Sequence, residues 1–303
     1  MKILFFGTPY FAEVVLKKLL SKHEVVGVVC QTDKKAGRGK KLVSPNIKMR
    51  AEKENIPVYQ FERLKDNLET FKNIQCDLFV TASYGKILPK ELLDMKLCIN
   101  VHPSLLPKYR GATPIQSALL NGDKLTGVTI MKTEVGMDDG DIILQKEVEI
   151  SDEDDYLSLM PRLAEIGGEL LLKAVEEIEN GTVKFTKQKE EGATFVKLIQ
   201  KEDALLNFHE KASTLVNKVR AYVESPVAYF FVGGERIKVY KAKVSALNEK
   251  AEIGEIITTK KEFFVKAKDS FFEILSCQAQ GGKVLNVRDF LNGYHFKAKK
   301  VDV

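Results

Sequence analysis

The chain has 303 residues, 44% hydrophobic and 29% charged, a composition that excludes disordered and fibrous classes and suits two folded domains. Its net charge of +5 is unevenly placed: residues 1–200 hold 29 basic and 29 acidic side chains, whereas residues 201–303 hold 18 basic and 13 acidic. A basic final third, together with seven basic residues and no acid between Lys34 and Arg50, suits a polyanionic partner without identifying one.

Ile3 to Phe6 is a short apolar run closed by Gly7-Thr8-Pro9, and Phe11, Val14, Val15, Lys18 and Leu19 then repeat at helical spacing. The same turn interrupts the apolar run too early for an export signal. Glu24 to Cys30 and Asp77 to Ala82 are further buried-type strands, with a helix opening at Ser44-Pro45 between them. Strands that are apolar on both faces and alternate with helices predict a parallel α/β sheet. Leu97 to Val101, Gly127 to Met131 and Asp141 to Leu144 continue the strands, and Asp154 to Ile178 is a long amphipathic, acidic helix. Periodicity fades between Asn180 and Glu202. Beyond it a helix over Lys211 to Val223 precedes five short strands within Ala228 to Ala279, the pattern of a small barrel of the oligonucleotide-binding (OB) kind. The expected division is a catalytic domain over 1–183, a linker over 184–203 and an OB-like domain over 204–303.

Cys30, Cys76, Cys98 and Cys277 form no CxxC pair and sit among mostly apolar neighbours, which reads as reduced thiols in a cytoplasmic protein. No stretch approaches the roughly 18 apolar residues of a membrane span.

Open α/β sheets leave their crevice at the carboxyl ends of the strands, so chemistry is sought there. Side chains two apart on a strand share a face, which lets Asn100 and His102 point into the crevice together. The loop Glu134-Val135-Gly136-Met137-Asp138-Asp139-Gly140-Asp141 lies between two of the strands. Its carboxylates could serve merely as turn formers, but if Asp138 reaches His102 the two become an acid/base couple. The loop lacks calcium-loop spacing, and no His pair has metal-ligand spacing, so no metal is expected. The chain has no GxSxG elbow, Walker loop or GxGxxG, leaving acyl-enzyme, nucleotide-hydrolysing and dinucleotide chemistries without support.

Several segments together resemble a known family in order along almost the whole chain: Phe6-Gly7-Thr8-Pro9, Ala36-Gly37-Arg38-Gly39-Lys40-Lys41, Tyr84-Gly85, Asn100-Val101-His102 with Ser104-Leu105-Leu106-Pro107, Arg110-Gly111-Ala112, and Gly127-Val128-Thr129. They are similar to the methionyl-tRNA formyltransferases, within the wider folate-dependent formyltransferases. The resemblance implies a Rossmann-like formyltransferase domain followed by the OB-like domain. It also implies transfer of a formyl group from 10-formyltetrahydrofolate to the amino group of methionyl initiator tRNA, by a monomer. Catalytic roles fall on Asn100, His102 and Asp138, and folate contacts on Ser104, Leu105, Leu106 and Pro107. The basic insertion would meet the acceptor stem, with Arg38 foremost and Lys35, Lys40 and Lys41 as ionic donors. Tyr109 departs from the Trp frequent in the family at that place. The rival activity is formylation of a sugar-nucleotide amine, and from another class a non-catalytic RNA-binding module, which would leave Asn100, His102 and Asp138 unexplained.

Overall fold

The computed structural model describes residues 1–36 and 41–302. Two units separate by their internal contacts: one of residues 1–114, 125–149 and 160–197, the other of 115–124, 150–159 and 198–303.

The first unit is built on β1 (Lys2–Gly7), α1 (Tyr10–Leu19), β2 (Glu24–Cys30), the hairpin β3 (Lys34–Ala36) and β4 (Lys41–Val43), α2 (Asn46–Lys53) and β5 (Val58–Gln60). It continues through α3 (Leu68–Asn73), β6 (Leu78–Ala82), α4 (Lys90–Leu93), β7 (Cys98–His102), β8 (Arg110–Gly111), β9 (Leu125–Lys132), β10 (Ile142–Glu149), α6 (Tyr156–Glu179) from Met160 onward and β11 (Phe195–Val196), while α5 (Pro114–Leu120) belongs to the second unit from Ile115 on. The main sheet runs β10-β9-β7-β6-β1-β2-β5. Its five strands from β7 to β5 are parallel, whereas β9 and β10 pair antiparallel. β9 runs against β7, and β10 turns back against β9 because the nine-residue loop between them is too short for a crossover and makes a hairpin.

The apolar runs become the core. Ile3, Leu4, Phe5 and Phe6 are all fully enclosed, and Phe6 meets the rings of Phe71, Phe79 and Tyr84. One helix approaches the sheet unusually closely. A Cβ placed on Gly167 of α6 would stand 2.8 Å from Val101 Cγ1 and 3.3 Å from Val128 Cγ1. A mid-helix glycine, which costs about 1 kcal/mol against alanine, is retained because nothing larger fits between α6 and β7. Since Val101 faces α6, the period of two puts Asn100 and His102 on the opposite face of β7.

In the second unit α7 (Ala212–Ala221) is followed by β12 (Tyr229–Val232), β13 (Glu235–Ser245), β14 (Ile256–Thr258), β15 (Phe263–Lys266), β16 (Phe271–Ala279), β17 (Leu285–Asn286) and α8 (Val287–Gly293). Its strands form an antiparallel sheet in the order β12-β13-β16-β15-β14, with β17 added to β16, curled in the manner of a small barrel. Phe230, Phe263, Phe271 and Phe272 fill it. Strand β17 and helix α8 extend the five strands read from sequence; Asn286 caps α8 by accepting from the Asp289 amide at 3.0 Å. The stretch 184–203, read as a linker, divides. Residues up to Lys197 belong to the first unit, and Thr186 exchanges both backbone hydrogen bonds with Ile142 at 2.8 Å. No helix among the described residues is long and apolar enough to cross a membrane.

Candidate active site

Strand β7 is held between β6 and β9, with Asn100 in register with Thr81 and Met131 and His102 with Thr129. The Thr81 hydroxyl donates to Asn100 Oδ1 at 2.8 Å. A carboxylate only accepts, so the end of the amide facing Asp138 is Nδ2, 3.5 Å from its Oδ1. His102 is buried, and its Nε2 lies 3.0 Å from the Tyr109 carbonyl. A carbonyl only accepts, so Nε2 carries the hydrogen and the ring presents Nδ1 to Asp138 Oδ2, 3.7 Å away. The sequence suggests that Asp138 reaches His102. The Tyr109 backbone carbonyl holds Nε2, and Asp138 faces Nδ1 at ion-pair rather than hydrogen-bond distance.

Asp138 itself occupies the left-handed region at φ +50°. Its Oδ2 accepts from the Gly111 amide at 2.8 Å, so the carboxylate is tethered between Asn100 and His102 from a third side. Gly111 (φ +113°) could not be another residue without cost: a Cβ there would collide with the Val196 carbonyl on β11, which runs parallel to β8. Three predicted residues, Asn100, His102 and Asp138, therefore come together from β7 and the β9–β10 loop.

The Ser104–Pro107 loop is strapped to β9. Thr129 Oγ1 donates to the Ser104 carbonyl at 2.7 Å and accepts from the Leu106 amide at 3.2 Å, while Gln145 Nε2 donates to the Leu106 carbonyl at 2.8 Å. Ser104 is fully buried and its hydroxyl donates to the Lys108 carbonyl at 2.6 Å. Leu106 is buried as well, Leu105 packs over Gly127, and Pro107 is half-buried. Ser104 and Leu106 thus shape the loop from within, and Leu105 and Pro107 form its accessible part.

Two residues that sequence reasoning left outside the site belong to its support. Arg110 is buried; its Nε donates to Gln188 Oε1 at 3.1 Å, its terminal nitrogens clasp Glu190 at 3.2 and 3.3 Å, and its guanidinium lies 5.7 Å from the Phe195 ring centroid. Arg110 stood inside a recognised motif; Gln188 stood in a charged, aperiodic stretch with no signal.

Of the basic hairpin, Arg38 and Lys40 lie outside the described residues, and Lys35 and Lys41 are placed by backbone only, Lys35 opposite Leu42 and Lys41 opposite Ala36. Its base is anchored. Asp33 accepts from Gln60 Nε2 at 2.9 Å, Lys48 Nζ at 2.9 Å and Ser44 Oγ at 3.0 Å. The Gln60 amide, then the Lys48 ammonium, hold the Asp33 carboxyl below the usual carboxylate range. Among the described residues no group of three or more His, Cys, Asp or Glu is placed to hold a metal ion.

The sequence matches the family described as formyl transferase over residues 1–175 and its C-terminal domain over 198–295. The chain belongs to the formyl transferase family. Among similar formyl transferases is the methionyl-tRNA formyltransferase of Fusobacterium nucleatum, 41% identical over 304 residues and covering 98% of each chain. That of a Sulfurihydrogenibium species is 42% identical, again over 98% of both. A solved N-formyltransferase from Helicobacter canadensis, in complex with folinic acid and dTDP-3-aminofucose, shares the fold at TM-score 0.68 and 21% identity, covering 90% of this chain and 98% of that one. HypX from Aquifex aeolicus aligns with all of this chain and 51% of its own, at TM-score 0.69 and 18% identity.

Two outcomes follow for this formyl transferase. Gly111→Ala should lower unfolding stability in urea by about 1–3 kcal/mol, the scale of a forced backbone, and an unchanged midpoint would contradict the close approach of β8 and β11. For Asp33 the depressed folded value means that its stabilisation is present above the unfolded carboxylate value of about 3.9 and is lost as pH falls through the folded value. The stability gap between wild type and Asp33→Asn should therefore shrink as pH is lowered below about 4; a gap constant with pH would contradict it.

Proposed function

We propose that this chain transfers the formyl group of 10-formyltetrahydrofolate to the amino group of methionyl initiator tRNA. The observation that carries the reading is the convergence of Asn100, His102 and Asp138 on one face of β7, in a chain similar over its whole length to methionyl-tRNA formyltransferases. An amine that adds to a formyl carbon drives charge onto the carbonyl oxygen. Asn100 Nδ2, at the end of the amide opposite Thr81, has no bond shorter than 3.5 Å among the described residues and is free to donate to that oxygen. A protonated His102 would offer Nδ1–H beside it. Asp138 takes the proton that the attacking nitrogen must shed, directly or through water, while the departing folate nitrogen regains one as its bond to carbon breaks.

The residues suit a folate. Val135 and Met137, within the β9–β10 loop that carries Asp138, are 63% and 57% exposed, large apolar side chains left bare. With Leu105 and Pro107 they supply the apolar surface that a flat ring system needs. Where bound, the folate supplies the activated one-carbon group. For the tRNA, the β3–β4 hairpin carries Lys35, Arg38, Lys40 and Lys41 as phosphate partners, with Arg38 able to pair in bidentate fashion. The base of this hairpin is secured by Asp33.

The test is a transfer assay with methionyl initiator tRNA, methionyl elongator tRNA and a dTDP-amino sugar side by side. The initiator tRNA should be formylated fastest. Preference for the sugar would overturn the tRNA assignment while leaving formyl transfer standing. His102→Ala should lower kcat by about 10²- to 10³-fold, the usual loss on removing one donor to a developing oxyanion, and full turnover would remove His102 from the chemistry. Raising salt should weaken tRNA binding far more than folate binding, because phosphate contacts release counterions; equal weakening would contradict the role of the basic hairpin.

A further inference from the structure

Gln188 lies between the two segments that match the formyl transferase family, in the run Lys187-Gln188-Lys189-Glu190-Glu191, where a side chain would be expected to face water. It does not: Gln188 is only 5% exposed. Both hydrogens of its Nε2 are used, one on the Asp138 carbonyl at 2.9 Å and one on the Gly140 carbonyl at 2.8 Å. Its Oε1 accepts from Arg110 Nε at 3.1 Å.

The chemistry of the partners dictates the residue. Two backbone carbonyls only accept, and a guanidinium only donates, so the bridging group must donate twice at one end and accept at the other. A primary amide meets that demand. A carboxylate of the same length would satisfy Arg110 and set its charge against both carbonyls, and a thioether would satisfy neither. The partners also settle which end of the amide is nitrogen.

The clamp acts on the turn that presents the carboxylate. Asp138 sits at φ +50°, a conformation that persists only where its surroundings impose it. Gln188 holds the carbonyl of Asp138 itself and that of Gly140 two residues later, fixing the 138–139 and 140–141 peptide planes. Arg110 backs the amide from behind, braced on Glu190 and the Phe195 ring. Gly111, the next residue in the chain, then bonds the carboxylate. One strand–loop unit thus grips Asp138 at its backbone through Gln188 and at its side chain through Gly111.

We propose that Gln188 is a positioning residue for the transfer reaction, holding the Asp138 turn so that its carboxylate stands between Asn100 and His102. The proposal rests on the catalytic reading of that trio, and its test separates the two. Gln188→Glu preserves length and the Arg110 contact and removes both donors to the loop. It should lower kcat for formyl transfer by roughly 10- to 100-fold, the effect of misplacing a reacting group by about 1 Å, with KM for folate and tRNA within about twofold of wild type. If Gln188→Glu does not fold, Gln188→Met, which also lacks the donors without adding charge, is measured on the same scale.

Asp138→Ala supplies the reference. Adding the Gln188 substitution to Asp138→Ala should slow the enzyme by no more than about twofold, because a group that works through Asp138 has nothing left to position. Losses that multiply in the double variant would overturn the proposal, as would a Gln188 variant that is less stable yet keeps wild-type kcat. If Asp138→Ala itself turns over at the wild-type rate, the catalytic reading fails and the positioning role of Gln188 falls with it, whereas losses that multiply on an Asp138→Ala background that is itself slow overturn the Gln188 role alone.

Discussion

The amide of Gln188 gives its two hydrogens to the carbonyls of Asp138 and Gly140, and the Gly111 amide gives its hydrogen to the Asp138 carboxylate. Between them these three bonds hold a residue in a backbone conformation it would otherwise leave, and they hold it over the one face of β7 that carries Asn100 and His102. The rest of the first unit can be understood as the frame for that arrangement. The close approach of α6 at Gly167 backs β7 on the other face, the β8–β11 pairing brings Gly111 and the 186–197 segment alongside, and the Thr81 hydroxyl holds the oxygen end of the Asn100 amide.

A division of labour on β7 and its loop follows. His102 gives its Nε2 hydrogen to the Tyr109 carbonyl, which leaves Nδ1 as the nitrogen facing Asp138. Ser104 and Leu106 are spent internally, holding the loop to β9 through Thr129 and Gln145. Leu105 and Pro107 keep accessible surface in that loop, as Val135 and Met137 do in the β9–β10 loop. The site is a rigid scaffold of satisfied hydrogen bonds with a small number of groups, chiefly Asn100 Nδ2 and the Asp138 carboxylate, left incompletely used.

What the sequence made legible was whatever depends on period and residue type. The apolar runs at Ile3–Phe6 and Leu78–Ala82 announced buried strands, the spacing of Asn100 and His102 put both on one face, and the polar loop around Asp138 stood out between strands. Interactions made by the backbone were illegible, because every residue carries the same carbonyl and amide: Tyr109 O orienting His102, and Gly111 N tethering Asp138, leave no mark on residue type. Gln188 was hidden for a different reason. Its neighbours are charged and its segment has no period, so only the fold shows that one side chain of that run turns inward. The antiparallel β9–β10 hairpin and helix α8 were likewise decided by loop length and by the Asn286 cap rather than by an apolar pattern.

On the proposed reading, the reacting carbon sits against Asn100 Nδ2 and the Asp138 carboxylate. The most direct test is a crystal structure with a stable 10-formyl analogue of the folate donor, measuring the distance from the formyl oxygen to Asn100 Nδ2. A separation within hydrogen-bond range, about 2.7–3.2 Å, with Asp138 still bonded to Gly111, is the expected result. A formyl oxygen placed away from Asn100, with Asp138 facing neither it nor the open side where an amine would approach, would contradict the claim.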